Sequence, residues 1–338
     1  MAFSNTYDVT NTGSAVSNRE DLTDVLTILA PEETPVLSSA QKQRAMATNT
    51  EWTVDSLSSP STAGIVEGAD VLTHTDQFAG RARMGNFTQK FRRDYKVSDL
   101  QEAVESVGPA RIAQAEAKAI RELKRDIEAT LCSANVKQQA TSTDPYKMTG
   151  LGGFIDSAAA DTTVPAGFKT PGSSIYTTAE AAAAGGAFSE TAFNDIISSI
   201  FEVNGVSNGL VLVADVGLRR VISDFARLST VSTETSIRNV NYDGGVAAIK
   251  LSVELYQSDH GVVSIVNANP DCMPNFGGTT ANSSGYLVNP EYYGVHELIP
   301  MGSTRQLNNG GGERGFVDCA LTLGVYHPQA HGLIQDVK

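Results

Sequence analysis

The chain has one tryptophan, three cysteines and five histidines in 338 residues, and its 25 basic residues are outnumbered by 38 acidic ones. Each shortage excludes something. Cys132, Cys272 and Cys319 lie far apart with no CxxC pair, so neither a disulfide framework nor a structural zinc site is indicated, and a reducing compartment is the expected place of synthesis. The net charge of −13 opposes general adhesion to nucleic acid and leaves room only for weak local contacts. Nowhere do 18 apolar residues run together, and the start, MAFSNTYDVTNTGSAVSNRED, has no basic stretch followed by an apolar core. Neither a membrane span nor a secretory signal is expected. What is present is 41% apolar residues, enough for a sizeable core in one large or two medium domains.

Common catalytic constellations are also missing. There is no GxSxG elbow, no GxxxxGK[ST] phosphate loop and no HExxH. TGLGGF, residues 149–154, has three glycines at the wrong spacing for a dinucleotide fingerprint. His327 and His331 in HPQAH, with Asp318 and Cys319 upstream, give the nearest metal-like spacing, but Pro328 disfavours the helix that would align them, and an incidental surface pair is expected. His260 in SDHG reads as part of a turn, Cys132 as a small packed side chain, and NNGGGERG as a flexible loop with at most a phosphate nest. No catalytic, cofactor-binding or metal-binding residue is assigned.

Along the chain, residues 1–18 are polar and read as a tail. Asn18 then caps an amphipathic helix ending at Pro31, with Glu20, Asp21 and Asp24 on a locally acidic stretch. From 49 to 96 the residues alternate: TEWTVDSL, a turn region, then NFTQKFRRDYKVSD, which predicts a long two-stranded hairpin. Its returning strand is basic, with Arg81, Arg83, Lys90, Arg92, Arg93 and Lys96 against Asp94. A lone ribbon is at best marginally stable, so this one must lie on something else. After Gly108-Pro109 comes the strongest helix, PARIAQAEAKAIRELKRDIEATLCSA, of about 25 residues and ~37 Å. Its expected apolar stripe is Ala113, Ala117, Ile120, Leu123, Ile127 and Leu131. Residues 136–187, rich in Ala, Gly, Ser and Thr, predict a long, partly mobile connection. Beyond them SETAFNDIISSIFEVNG is a helix capped by Ser189 and stopped at Asn204-Gly205, GLVLVA is a buried strand, and DVGLRRVISDFARL is a helix capped by Asp215. Later segments read as strands of a mixed sheet. Two classes remain: a self-assembling structural protein with protruding elements, or a soluble enzyme or binding protein whose site is invisible to motif search.

The order of arm helix, hairpin, long helix, αβ region and late strands resembles the major capsid proteins of tailed bacteriophages with the Hong Kong 97-type fold. At residue level the chain is similar to the family named for the phage SU-ten major capsid protein, through ETPVLSSA, NTEWTVDSL, the Glu67-Gly68 pair, NFTQKFRRDYKVSD, and RELKRDIEATL followed by MTGLGGFI. The resemblance implies an α+β fold with a tail and arm over 1–45, an extended loop over 46–96, and a peripheral domain with a spine helix over 97–185. An axial domain would cover 186–290, and 291–338 would return to the peripheral domain. It implies a non-enzymatic protein whose hexamers and pentamers form an icosahedral shell around double-stranded DNA. The expected partners are a separate scaffolding protein, a portal and a decoration protein, with synthesis in the host bacterial cytoplasm and residence in the virion. The expected intersubunit residues are Glu20, Asp21, Asp24, Trp52, Asp55, Glu67, Gly68, Arg81, Arg83, Arg92 and Arg93. The basic strand around Arg92 and Arg93 would meet an acidic surface of a neighbour, such as the arm helix, or else pair within its own subunit. Trp52 would anchor the ribbon's base on its own chain or fill an intersubunit groove.

Overall fold

A computed structural model describes residues 33–78, 80–103, 112–177, 188–205, 209–225, 240–243, 246–249, 254–274 and 284–335. The expected arm helix, and with it Glu20, Asp21 and Asp24, lies outside the described residues. The chain runs through α1 (Pro35–Ser39), β1 (Gln41–Arg44), β2 (Asn49–Val54), β3 (Ala82–Phe87), β4 (Gln89–Val97) and α2 (Asp99–Ala103). The long helix α3 (Ile112–Cys132), α4 (Leu151–Phe154) and β5 (Ile175–Tyr176) follow. Next come α5 (Glu190–Asn204), β6 (Leu210–Ala214), α6 (Val216–Phe225), β7 (Val240–Asp243), β8 (Val246–Ile249), β9 (Leu255–Ser258), β10 (Gly261–Asn267) and β11 (Gly285–Val288). Last are β12 (Tyr293–Gln306), β13 (Glu313–Val325) and β14 (Gly332–Ile334).

Two sheets carry the fold. A four-stranded sheet has the order β1-β12-β13-β4, and a six-stranded one the order β5-β14-β11-β6-β10-β9; β2-β3 and β7-β8 are separate ribbons. The first sheet packs one face on α3: Phe91 and Tyr95 of β4 and Val317, Cys319 and Leu321 of β13 share a core with Leu123, Ile127 and Leu131. The second sheet is buried on both faces at its centre. Leu210, Leu212 and Ala214 of β6 face a cluster with Phe193, Ile197, Leu218 and Ile222 from α5 and α6, whereas Val213 of β6 and Tyr286 and Val288 of β11 face the α3 cluster. Alternation of side chains along a strand makes this possible, and it explains why LVLVA is apolar at every position. β14 joins this second sheet beside β11 and β5, so the C-terminal strands divide between the two sheets.

Three expectations are corrected by packing. First, the partner of β2 is β3, with Trp52 opposite Met84 and Thr53 opposite Arg83, whereas β4 pairs with β13, Arg92 opposite Asp318 and Arg93 opposite Val317. The alternating run 87–96 is thus a sheet strand, not the return of the hairpin; period-2 patterning gives a strand but not its partner. Second, the buried stripe of α3 is Ile112, Ala119, Leu123, Ile127, Glu128, Leu131 and Cys132, and Ala113 and Ala117 are exposed. Alanine fits either face, so it misplaces the stripe by part of a turn. As observed, α3 has 21 residues, about 31 Å. Third, residues 148–176 are not a loose connection: Met148, Leu151, Phe154, Ile155 and Val164 are each 0% exposed.

The glycines explain the third correction. A Cβ at Gly150 would lie 2.2 Å from the Ser133 carbonyl oxygen, and one at Gly152 would lie 2.8 Å from the Tyr286 hydroxyl. TGLGGF is therefore the stretch where the chain presses directly on the C-terminal end of α3, an approach only glycine permits. The local helix signals held where they are self-contained. Ser189 Oγ accepts from the Ala192 N–H and Gly205 closes α5 in the left-handed region at φ 66. Ser98 Oγ likewise accepts from the Gln101 N–H at the start of α2.

Candidate assembly surfaces

The base of the 55–80 loop is fixed from within the chain. Trp52 packs on Phe154 (ring centroids 6.1 Å apart) and edge-on to Tyr326 (6.0 Å), and its indole N–H is buried without an acceptor among the described residues. Beside it, Asn86 is 0% exposed and meets all its hydrogen-bonding capacity. Its amide donates to the carbonyls of Thr149 (3.1 Å) and Leu323 (2.8 Å), and its oxygen accepts from the N–H groups of Thr149 (2.9 Å) and Phe87 (3.0 Å). Lys137 Nζ donates to the Gly85 carbonyl (3.0 Å); burial lowers its pKa, with Glu51 opposing. Neither Asn86 nor Lys137 stands out in the sequence, because a polar residue in an alternating strand looks solvent-facing.

Above this base, all described residues from 55 to 80 are exposed. Leu57, Ile65, Val66 and Leu72 are exposed to 99%, 88%, 79% and 91%, which is unusual for side chains of this size placed so close together. Glu67 and Gly68 lie in a turn with Gly68 at φ 80. Asp55 accepts from Arg81 at 2.8 Å, which holds its carboxyl below the usual range, and the Arg81 guanidinium also sits 4.1 Å over the Phe78 ring. Arg83 pairs with Glu51 at 3.2 Å. These pairs stiffen the entrance to the loop.

The basic strand divides by face. Arg93 makes a two-pronged contact with Asp126 of α3 (2.5 and 2.7 Å), which raises the guanidinium pKa. That pairing is within the chain. Arg92 points to the opposite, open side of the sheet, 5.9 Å over the Phe316 ring. Near Arg93, a cleft of about 310 Å³ is lined by Arg93, Glu122, Arg125, Asp126, Asp271 and Cys272, and an Arg125–Asp271 ion pair crosses it.

The point where the N-terminal segment enters the fold is also built. Glu128, 1% exposed on the core side of α3, accepts from the N–H groups of Val36 (2.8 Å) and Leu37 (2.9 Å) in the first turn of α1. Burial raises its pKa, and the two N–H groups work against that rise. Asn269 donates to the Glu33 carbonyl at 3.0 Å, and the Tyr293 and Ser39 hydroxyls lie 2.6 Å apart. Sequence reasoning missed Glu128 by assigning it to the polar side of α3.

The histidine and glycine motifs resolve into structure. His331 is buried rather than superficial: its Nδ1 accepts from the Asn289 N–H at 3.1 Å, and burial pushes its pKa down to about 3, with His327 adding repulsion. In NNGGGERG, the Asn308 side-chain oxygen accepts from the N–H groups of Gly310 (2.8 Å) and Gly312 (3.4 Å), so the chain's own amide fills the nest. His260 lies in the β9–β10 turn and stacks on Phe201. Among the described residues no group of three or more His, Cys, Asp or Glu could hold a metal ion, and no helix is long and apolar enough to cross a membrane.

Two packed sheets, a long helix against one of them and an exposed loop anchored beside it define the class: solved structures of phage capsids have this fold. The chain matches the capsid of cyanophage P-SCSP1u at TM-score 0.58 and 15% identity, covering 96% of this chain and 95% of that one. It matches the capsid of an empty GTA particle at 0.60 and 12%, over all of both chains, and the cyanophage A-1(L) capsid at 0.57 and 13%, over 95% and 97%. Among curated proteins no sequence match is found. The sequence model of the SU10 major capsid protein family matches residues 4–338, and the chain belongs to that family. It is a major capsid protein of a tailed phage, a structural component of the virion with a Hong Kong 97-like fold, and not an enzyme.

Proposed function

We propose that copies of this chain assemble as hexamers and pentamers into the icosahedral shell that encloses the phage genome, with residues 46–96 as the region that reaches a neighbouring subunit. The segment divisions implied by the family resemblance go with this reading: arm over 1–45, peripheral domain over 97–185 with α3 as its spine, axial domain over 186–290, and returning strands over 291–338. A separate scaffolding protein, a portal and a decoration protein are the proposed partners, with weak local contacts to the packaged DNA and synthesis in the host cytoplasm. The observation that carries the reading is the exposed loop: large apolar side chains on a segment without a core of its own need a surface supplied by another molecule. Purified full-length chain imaged by negative-stain electron microscopy should give capsomers and closed shells; a population of monomers under every assembly condition would overturn it.

A further inference from the structure

The four-stranded sheet buries one face on α3 and leaves the other open. On β4, Lys90, Arg92, Asp94 and Lys96 are exposed, while the intervening Phe91 and Tyr95 are buried. Register places Asp318 opposite Arg92, Phe316 opposite Asp94 and Arg314 opposite Lys96, so these β13 residues share the open face. Lys90 is paired with Asp318 at 3.0 Å. The remainder is a patch in which Arg92, Lys96 and Arg314 outnumber Asp94 around the half-buried ring of Phe316. One edge is open as well, since β1 covers β12 only from Gly294 to Glu297.

The loop has the complementary character. Residues 55–80 contain Asp55, Glu67, Asp70 and Asp76 and no lysine or arginine. Because Asp55 is held by Arg81, the unbalanced charge lies towards the tip, next to Ile65, Val66 and Leu72. Full exposure of the loop means that it does not cover this sheet face in its own chain. A second exposed apolar set, Leu255, Val262 and Val266 on β9 and β10, is flanked by Glu254 and Asp259, the same sign as the loop. Charge therefore selects the sheet face over the β9–β10 face.

We propose that the occupant of the open β4–β13 face is the 55–80 loop of a second copy, with Glu67 and Asp70 meeting Arg92 and Lys96 and the apolar loop residues covering Phe316. This rests on the shell reading above and replaces the expectation that the basic strand meets the acidic arm helix. Arg93, whose partner is Asp126, takes no part.

The test is a charge swap in the full-length chain, with shells counted by electron microscopy and sedimentation under one fixed assembly condition. Arg92→Glu/Lys96→Glu should lower shell yield by roughly tenfold or more, as should Glu67→Lys/Asp70→Lys, because like charges across an interface are strongly disfavoured. Combining the two pairs should restore shells to within about threefold of the unaltered chain, as expected for residues coupled by direct contact. Unchanged yield in either single reversal, loss that the combination does not restore, or restoration of Arg92→Glu/Lys96→Glu by Glu20→Lys/Asp21→Lys/Asp24→Lys would overturn the proposal. Failure of the unaltered chain to form shells would overturn the shell reading beneath it.

Discussion

Residues 55–80 and residues 148–155 are both poor in charge and rich in small residues, yet one is wholly exposed and the other almost wholly buried. The difference is not in their composition. In MTGLGGFI the glycines stand where another backbone approaches within contact distance, and Met148, Leu151, Phe154 and Ile155 fill the core under α3. In the loop, a Cβ added at Gly64 would meet nothing within 4 Å, and the apolar residues have nothing in the chain to cover them. Small residues permit either close packing or freedom, and the neighbour decides which.

The largest effect that would sharpen this contrast comes from the packed region. His331 has its pKa lowered to about 3 by burial, so between that value and about 6.5 the unfolded chain binds more protons than the folded one. Stability is then fully present above pH 6.5 and is lost as pH falls towards 3, by on the order of 4–5 kcal/mol from this group. Denaturant unfolding of the dissociated chain across that range should show the slope, and His331→Asn should flatten it; an unchanged slope would contradict the buried neutral ring. Next, Glu128→Ala strands the N–H groups of Val36 and Leu37. Two unpaired buried donors cost roughly 2–4 kcal/mol, and hydrogen exchange at those two amides should accelerate by a similar factor.

The direct comparison of the two glycine-rich regions is a pair of identical substitutions. Gly150→Ala forces a methyl group against the Ser133 and Thr130 carbonyls and should destabilise by about 1–3 kcal/mol or more, whereas Gly64→Ala should stay within about 0.5 kcal/mol. Equal effects would dissolve the contrast. Smallest of all, a double-mutant cycle on Arg93 and Asp126 should give a coupling of about 0–1 kcal/mol, because both side chains remain substantially exposed. Stability and shell assembly should respond separately here, since Arg93 faces its own helix.

Much of the secondary structure was legible because its signals are local. Ser189 and Gly205 bracket α5 through hydrogen bonds and backbone conformation that need only neighbours in sequence. The exposed character of the loop was legible too, from a stretch that lacks a periodic apolar face. Register was not: NFTQKFRRDYKVSD has the alternation of a strand, and whether β2 or β13 lies beside it depends on distant residues. Nor was the burial of Glu128, since a carboxylate on a helix reads as solvated unless its acceptors are needed by a segment far away, here the first turn of α1.

By itself, the sequence determined that the chain is an α+β protein with one long amphipathic helix, a locally basic strand and an acidic exposed loop. Motifs already excluded the common catalytic designs. Only the tertiary structure decided that Trp52 anchors the loop on Phe154 and Tyr326, that TGLGGF is a packing surface, and that Arg92 and Arg93 face opposite sides of a sheet. The physical reason is range: capping, turn geometry and periodicity act over a few residues, whereas close backbone approach, strand pairing and burial of a charge are set by elements that meet only when the whole chain has folded.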